Sequence, residues 1–104
     1  MPAFVVRGAS MAPGLCDGDV VLTHRLRRPP AQGDLIVYRH PHQGFFIVHR
    51  VTRAGDGMVW TAGDSNADPD PHRVSVSGIA GKVWLTLPRV GRLVRFVRKG
   101  PVPS

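Results

Sequence analysis

A serine hydroxyl becomes a nucleophile when a positioned base can take its proton and when its neighbours leave it open to a substrate. Ser10 meets the second condition. Gly8 and Ala9 precede it, Pro13 and Gly14 follow, and the apolar run Phe4-Val5-Val6 lies just upstream. This pattern puts the hydroxyl on an exposed turn at the end of a strand, where backbone N–H groups, that of Ser10 first, can face a developing oxyanion. His49 is the matching base. It lies in Phe45-Phe46-Ile47-Val48-His49-Arg50-Val51, and with a side-chain period of two it shares the interior face with Phe45, Ile47 and Val51. A histidine pointing the same way as isoleucine and valine is partly desolvated, which favours the neutral form a general base needs. A third segment, Gly63-Asp64-Ser65-Asn66-Ala67-Asp68-Pro69-Asp70, is rich in carboxylates. Each segment also has an ordinary reading: a small-residue turn, a core histidine, a solvated acidic loop.

The elements that must hold these residues are short strands. Phe4-Val5-Val6, Val20-Val21-Leu22-Thr23, Leu35-Ile36-Val37-Tyr38, the run from Phe45 to Val51, Met58-Val59-Trp60-Thr61, Arg73-Val74-Ser75-Val76 and the stretch from Gly78 to Leu87 all read as strands. Asp17-Gly18-Asp19, Gly33-Asp34 and His40-Pro41-His42-Gln43-Gly44 punctuate them, and Asp56-Gly57 is a tight hairpin signal. Residues 63–72 form a polar loop longer than a connection in so small a domain needs, which marks it as functional. Short strands separated by turns predict an all-β fold, a small partly open barrel or pair of coiled sheets. The expected catalytic β domain spans residues 1–88.

Residues 89–104 differ. Val90, Leu93, Val94 and Val97 recur at helical spacing, Arg92, Arg95, Arg98 and Lys99 fall opposite, and Gly100-Pro101 stops the pattern. The expectation is a short basic amphipathic helix that either packs on its own domain or lies on an anionic membrane surface.

Composition sets the outer bounds. The chain has 104 residues, 42% hydrophobic and 7% aromatic, which suits one folded domain with a modest core rather than a disordered chain. Net charge is +7, and it is unevenly placed: through Asp70 seven arginines balance seven aspartates, so the excess lies beyond residue 70. Such a segment is attracted to phosphate on lipid or nucleic acid. A single cysteine, Cys16, excludes an internal disulfide and a cysteine metal site. His40, His42 and His72 are read as exposed loop histidines, and no metal or cofactor is expected. No window approaches the roughly 20 apolar residues of a membrane span, and the N-terminus lacks the apolar run of a signal peptide. The expected location is the membrane periphery or the cytoplasm.

The order and spacing of these pieces resemble the signal peptidase I family of membrane-associated serine endopeptidases over roughly residues 4–91. The matching pieces are Ser10-Met11-Ala12-Pro13 with Gly18-Asp19, then Gly33-Asp34 opening a strand, then Val48-His49-Arg50-Val51. They continue with Gly63-Asp64-Ser65-Asn66 and nearby Asp70, and with Gly78-Ile79-Ala80-Gly81-Lys82-Val83 before Pro88. Many bacterial members use a Ser/Lys pair; His49 at the base position resembles the branch found in the endoplasmic reticulum, in archaea and in some Gram-positive bacteria. The resemblance implies Ser10 as nucleophile, His49 as base and Asp70 as the carboxylate that orients the imidazole, with Asp64 the second candidate and Asp68 the third. It implies cleavage of signal peptides or a precursor leader after small residues. The substrate would be extended beside Phe4-Val5-Val6 and the strand from Leu35 to Val37.

The transmembrane helix usual in that family is missing from this sequence, and the basic segment stands at its end instead. A related alternative is a soluble maturation protease for one dedicated precursor, similar to the nickel superoxide dismutase type, although that group usually carries lysine as base. The self-processing, repressor-cleaving relatives that share the Ser-Met-x-Pro start also need a lysine, and none precedes Lys82. A basic β-barrel binding nucleic acid through the C-terminal arginines, with stacking on Trp60, Trp84 or Phe96, is the non-enzymatic alternative.

Overall fold

The computed structural model describes residues 2–88 and the backbone of residues 101–103. The chain forms strands β1 (Ala3–Arg7), β2 (Val20–His24), β3 (Leu35–Arg39), β4 (Phe46–Gly55), β5 (Met58–Ala62), β6 (Arg73–Ser75), β7 (Ile79–Leu87) and β8 (Pro101–Pro103), with one 3-10 turn at Val76–Gly78. They make one sheet in the order β6-β5-β4-β3-β7-β2-β1-β8. All pairs are antiparallel except β1 with β8, which is parallel. The all-β expectation holds, and each strand read from the sequence is present. The amphipathic helix expected over residues 89–99 lies outside the described residues.

Local chemistry explains the turns that matter. Asp56 and Gly57 take φ values of 55° and 75°, the two positive angles that let a two-residue turn follow the right-handed twist of the strands it joins. The β4–β5 ladder shifts register between Val51 and Arg53, a bulge that bends β4 just beyond His49.

The sheet is covered on both faces, which is why β3 and β4 carry runs of consecutive buried residues instead of strict alternation. One face packs Val37 and Val48 under Phe4, Val6, Val21, Met11 and Leu15. The rings of Phe4 and Phe46 lie 5.6 Å apart, so β1 has curled back over β3 and β4. The other face packs Ile36, Tyr38, Ile47, Val51, Val59 and Val74 together. A single coiled sheet wrapped around two small cores is the partly open barrel that the turn spacing implies.

Two details differ from expectation. Phe45 is not part of the interior face: β4 starts at Phe46, and Phe45 is 40% exposed. The pleat holds from Ile47 through His49 to Val51, so the placement of His49 is unaffected. In addition, Ile36–Tyr38 of β3 are bonded to β4 on one side and β7 on the other. That stretch has no open edge beside which a substrate strand could be added.

Candidate active site

After β1 the chain leaves the sheet and returns at β2. The excursion is closed at its base by Gly18 N–H donating to the Val6 carbonyl (2.9 Å) and Val6 N–H to the Asp19 carbonyl (2.7 Å). Gly8 N–H donates to Asp17 Oδ1 (3.0 Å). Met11 and Leu15 plug this loop into the first core, so burial of two apolar side chains fixes a turn that carries a polar one. Ser10 sits one residue before Met11, half-buried at the rim.

The acidic loop grips this turn from the far side. Ser65 N–H donates to the Ser10 carbonyl (2.8 Å). The Ser65 hydroxyl lies 2.8 Å from the Ala9 carbonyl and 2.7 Å from that of Ala12, and its one proton serves either. Gly63 lies so close that a Cβ there would stand 2.7 Å from the Ser10 carbonyl oxygen and 2.9 Å from Ser10 Cβ. Glycine is the residue that permits this approach.

Three sequence-predicted residues come together. Ser10 Oγ lies 3.0 Å from His49 Nε2, and His49 Nδ1 lies 2.6 Å from Asp70 Oδ2. His49 is 7% exposed. A carboxylate accepts only, so the proton on neutral His49 sits on Nδ1 and leaves Nε2 free to accept from the serine. Asp70 is fixed through its backbone, whose N–H donates to the Thr61 carbonyl (2.8 Å). Its Oδ2 also accepts from Thr61 Oγ1 (2.7 Å), and Tyr38 OH stands 3.4 Å from it, with one proton to give either to Oδ2 or to the nearer Thr61 Oγ1 at 3.0 Å. No buried side-chain nitrogen or oxygen among the described residues lacks a hydrogen-bond partner.

Asp64 is placed elsewhere. Its two oxygens accept from Arg50 Nε and Nη2, both at 2.9 Å, while Arg50 Nη1 donates to the Gly33 carbonyl (3.0 Å). This bidentate bond pushes the Arg50 pKa up and ties the acidic loop to β4. Asp68 is exposed. Lys82, the one lysine among the described residues, pairs with Asp34 at 3.2 Å.

Sequence reasoning missed four contributors. Ser65 was visible only as part of a motif, and Tyr38 and Thr61 read as ordinary strand formers. Their signal was available: a hydroxyl on an interior strand position needs a partner. His72, expected as an exposed loop histidine, is half-buried, and its Nε2 lies 2.8 Å from Tyr38 OH. His40 is half-buried too, with its ring 4.7 Å from that of His72, whereas His42 is exposed. No group of metal-ligating side chains that could hold an ion occurs among the described residues.

A hydroxyl, an imidazole and a carboxylate in hydrogen-bonded sequence, on a turn clamped by a second loop, define a serine-hydrolase-type constellation. The chain belongs to the Peptidase S24-like family, whose model matches residues 1–83. It therefore carries a serine-peptidase-type domain, and the match includes the serine turn, the histidine strand and the acidic loop. Neither a curated protein nor a solved structure matches the chain.

Proposed function

We propose that this protein is a serine endopeptidase of the signal peptidase I type, His-base branch, that cleaves signal peptides or a precursor leader after small residues. The observation that carries the reading is the series Ser10 Oγ, His49 Nε2, His49 Nδ1, Asp70 Oδ2, with contacts of 3.0 and 2.6 Å. Ser10 attacks the scissile carbonyl while its proton passes to His49 Nε2. The tetrahedral intermediate collapses, the C–N bond breaks, and His49 returns the proton to the leaving amine. A water, deprotonated by His49, then attacks the ester and releases the acid and Ser10. Asp70 keeps the imidazole in the Nδ1–H tautomer and stabilises its charged form. The Ser10 N–H is the proposed oxyanion donor. Arg92, Arg95, Arg98 and Lys99 dock the enzyme on anionic lipid, the surface on which such precursors are met.

The reading favours histidine over lysine as base because Lys82 is engaged with Asp34. An extended substrate would add to the edge of β1, which residues 101–103 occupy at Val5–Arg7. The test is cleavage of a precursor with an Ala-x-Ala site, in the presence of anionic liposomes, by wild type, Ser10→Ala and His49→Ala. Wild type alone is expected to cleave, with each variant slower by at least about a thousandfold. Equal cleavage by all three would remove the support for Ser10 and His49. Cleavage by none, with nucleic-acid binding retained in Ser10→Ala, would favour the basic-barrel alternative. Cleavage confined to one dedicated precursor would favour the maturation-protease alternative.

A further inference from the structure

Beyond the three residues above, a second line of side chains ends on Asp70. Thr61 Oγ1 lies 2.7 Å from Asp70 Oδ2, Tyr38 OH lies 3.0 Å from Thr61 Oγ1, and His72 Nε2 lies 2.8 Å from Tyr38 OH. Tyr38 and Thr61 are fully buried, so each contact needs a proton between its two heavy atoms. The protons can be counted. Ionised Asp70 donates nothing, so the single Thr61 proton points at Oδ2. Thr61 Oγ1 must then accept, and the single Tyr38 proton points at it. The contact between Tyr38 oxygen and His72 Nε2 is closed only if the nitrogen carries the proton. Turning the Tyr38 proton to Asp70 Oδ2 at 3.4 Å still leaves His72 as the donor, and turning it to His72 leaves the Tyr38 and Thr61 oxygens facing each other as acceptors at 3.0 Å.

We propose that His72 is a positioning residue of this site: held as the Nε2–H tautomer, it directs a donor chain through Tyr38 and Thr61 onto Asp70 Oδ2 and so fixes the carboxylate that orients His49. The proposal rests on the peptidase reading and names a residue that reading does not require. The groups around His72 are consistent with a neutral donor. Burial pushes its pKa down against the pull of Asp70, and His40, His49 and His42 push the same way as burial. His40 cannot compete for the His72 proton through its Nδ1, which accepts from the N–H groups of His42 and Gln43, both at 3.1 Å. Burial also pushes the Tyr38 pKa up, which keeps its proton in the chain.

Two measurements on the full-length protein test this. The first is the rate at which a fluorophosphonate probe labels Ser10, separated into kinact and KI. A glutamine side chain would present a donor amide where Nε2 stands, so His72→Gln is expected to keep most of kinact. His72→Leu is expected to lower kinact roughly tenfold, the scale of one lost hydrogen bond, with KI unchanged. Tyr38→Phe should lower it similarly, and adding His72→Leu to Tyr38→Phe should cost nothing further, because the chain is already cut. Wild-type labelling of His72→Leu, equal loss in His72→Gln, or losses that multiply in the double variant would each overturn the proposal. The second is the proton NMR resonance of His49 Nδ1–H, recorded also in Ser10→Ala, where no labelling occurs. It is expected to move in His72→Leu and to stay in His72→Gln; no movement in His72→Leu overturns the proposal. If wild type is not labelled at all, the peptidase reading fails, and the resonance still decides the donor chain.

Discussion

Asp64 and Asp70 belong to one loop and differ in what meets them. Asp64 faces a guanidinium at the surface, and Asp70 faces an imidazole that is almost fully buried. Asp70→Asn would favour the wrong imidazole tautomer and is expected to slow Ser10 labelling on the order of 10,000-fold. Asp64→Asn keeps one acceptor for Arg50 at a solvated position and is expected to cost less than about tenfold. Equal losses would mean that the loop, not the carboxylate, matters. His72 adds a pH dependence whose sign follows from its environment. Its folded pKa lies below the ordinary histidine value, so folding favours the neutral form. The stabilisation is therefore present above the unfolded pKa of about 6.5 and is lost as pH falls through the lower folded value. Between pH 7 and pH 5 the Tm of wild type should fall further than that of His72→Gln. Parallel Tm curves would contradict this.

At the scale of elements, the site is a turn held by two grips: Met11 and Leu15 in the core, and the backbone of Ser65 outside. Gly63→Ala would put a methyl group against the Ser10 carbonyl, in a place where backbone, not a flexible side-chain end, is the obstacle. Overpacking of this kind costs about 1–3 kcal/mol, and the displaced serine is expected to lose labelling out of proportion to the fall in Tm. A variant that is destabilised yet labels normally would show that the approach is not needed. The strands and the Asp56-Gly57 hairpin were legible in the sequence because period-two patterning and turn chemistry are local. Ser10 and His49 stand out by their settings, Asp70 enters ahead of Asp64 and Asp68 only through the family resemblance, and the structure brings these three side chains into hydrogen-bond contact. The pairing of β3 with β7, the bond between Asp64 and Arg50, and the line from His72 to Asp70 were not legible. Their links join positions far apart in the chain, such as Tyr38 with Thr61 and with His72, and an interior hydroxyl signals that a partner is needed without signalling which residue across the sheet supplies it.

For the whole molecule, one open sheet leaves its two edges, β6 and β8, as the places where another chain can add. The region through Asp70 is electrically balanced, and the excess charge lies beyond it. Deleting residues 89–104 is therefore expected to abolish co-sedimentation with anionic liposomes, each lost basic residue being worth about 1 kcal/mol at such a surface. Binding unchanged by the deletion would refute the docking role. The same deletion has a second effect, which follows from β8. Residues 101–103 run parallel to β1 at Val5, Val6 and Arg7, the strand that leads to Ser10. A tethered segment is never diluted: it stands at an effective concentration on the order of millimolar however little protein is present. Any peptide that adds to β1 thus competes with an occupant carried by the protein itself, so with a soluble peptide substrate and no liposomes KM should fall in the truncated protein and kcat should not. Selectivity would then come from competition: weakly binding strands are turned away by a neighbour that is always there, and only a precursor presented at high local density exchanges with it.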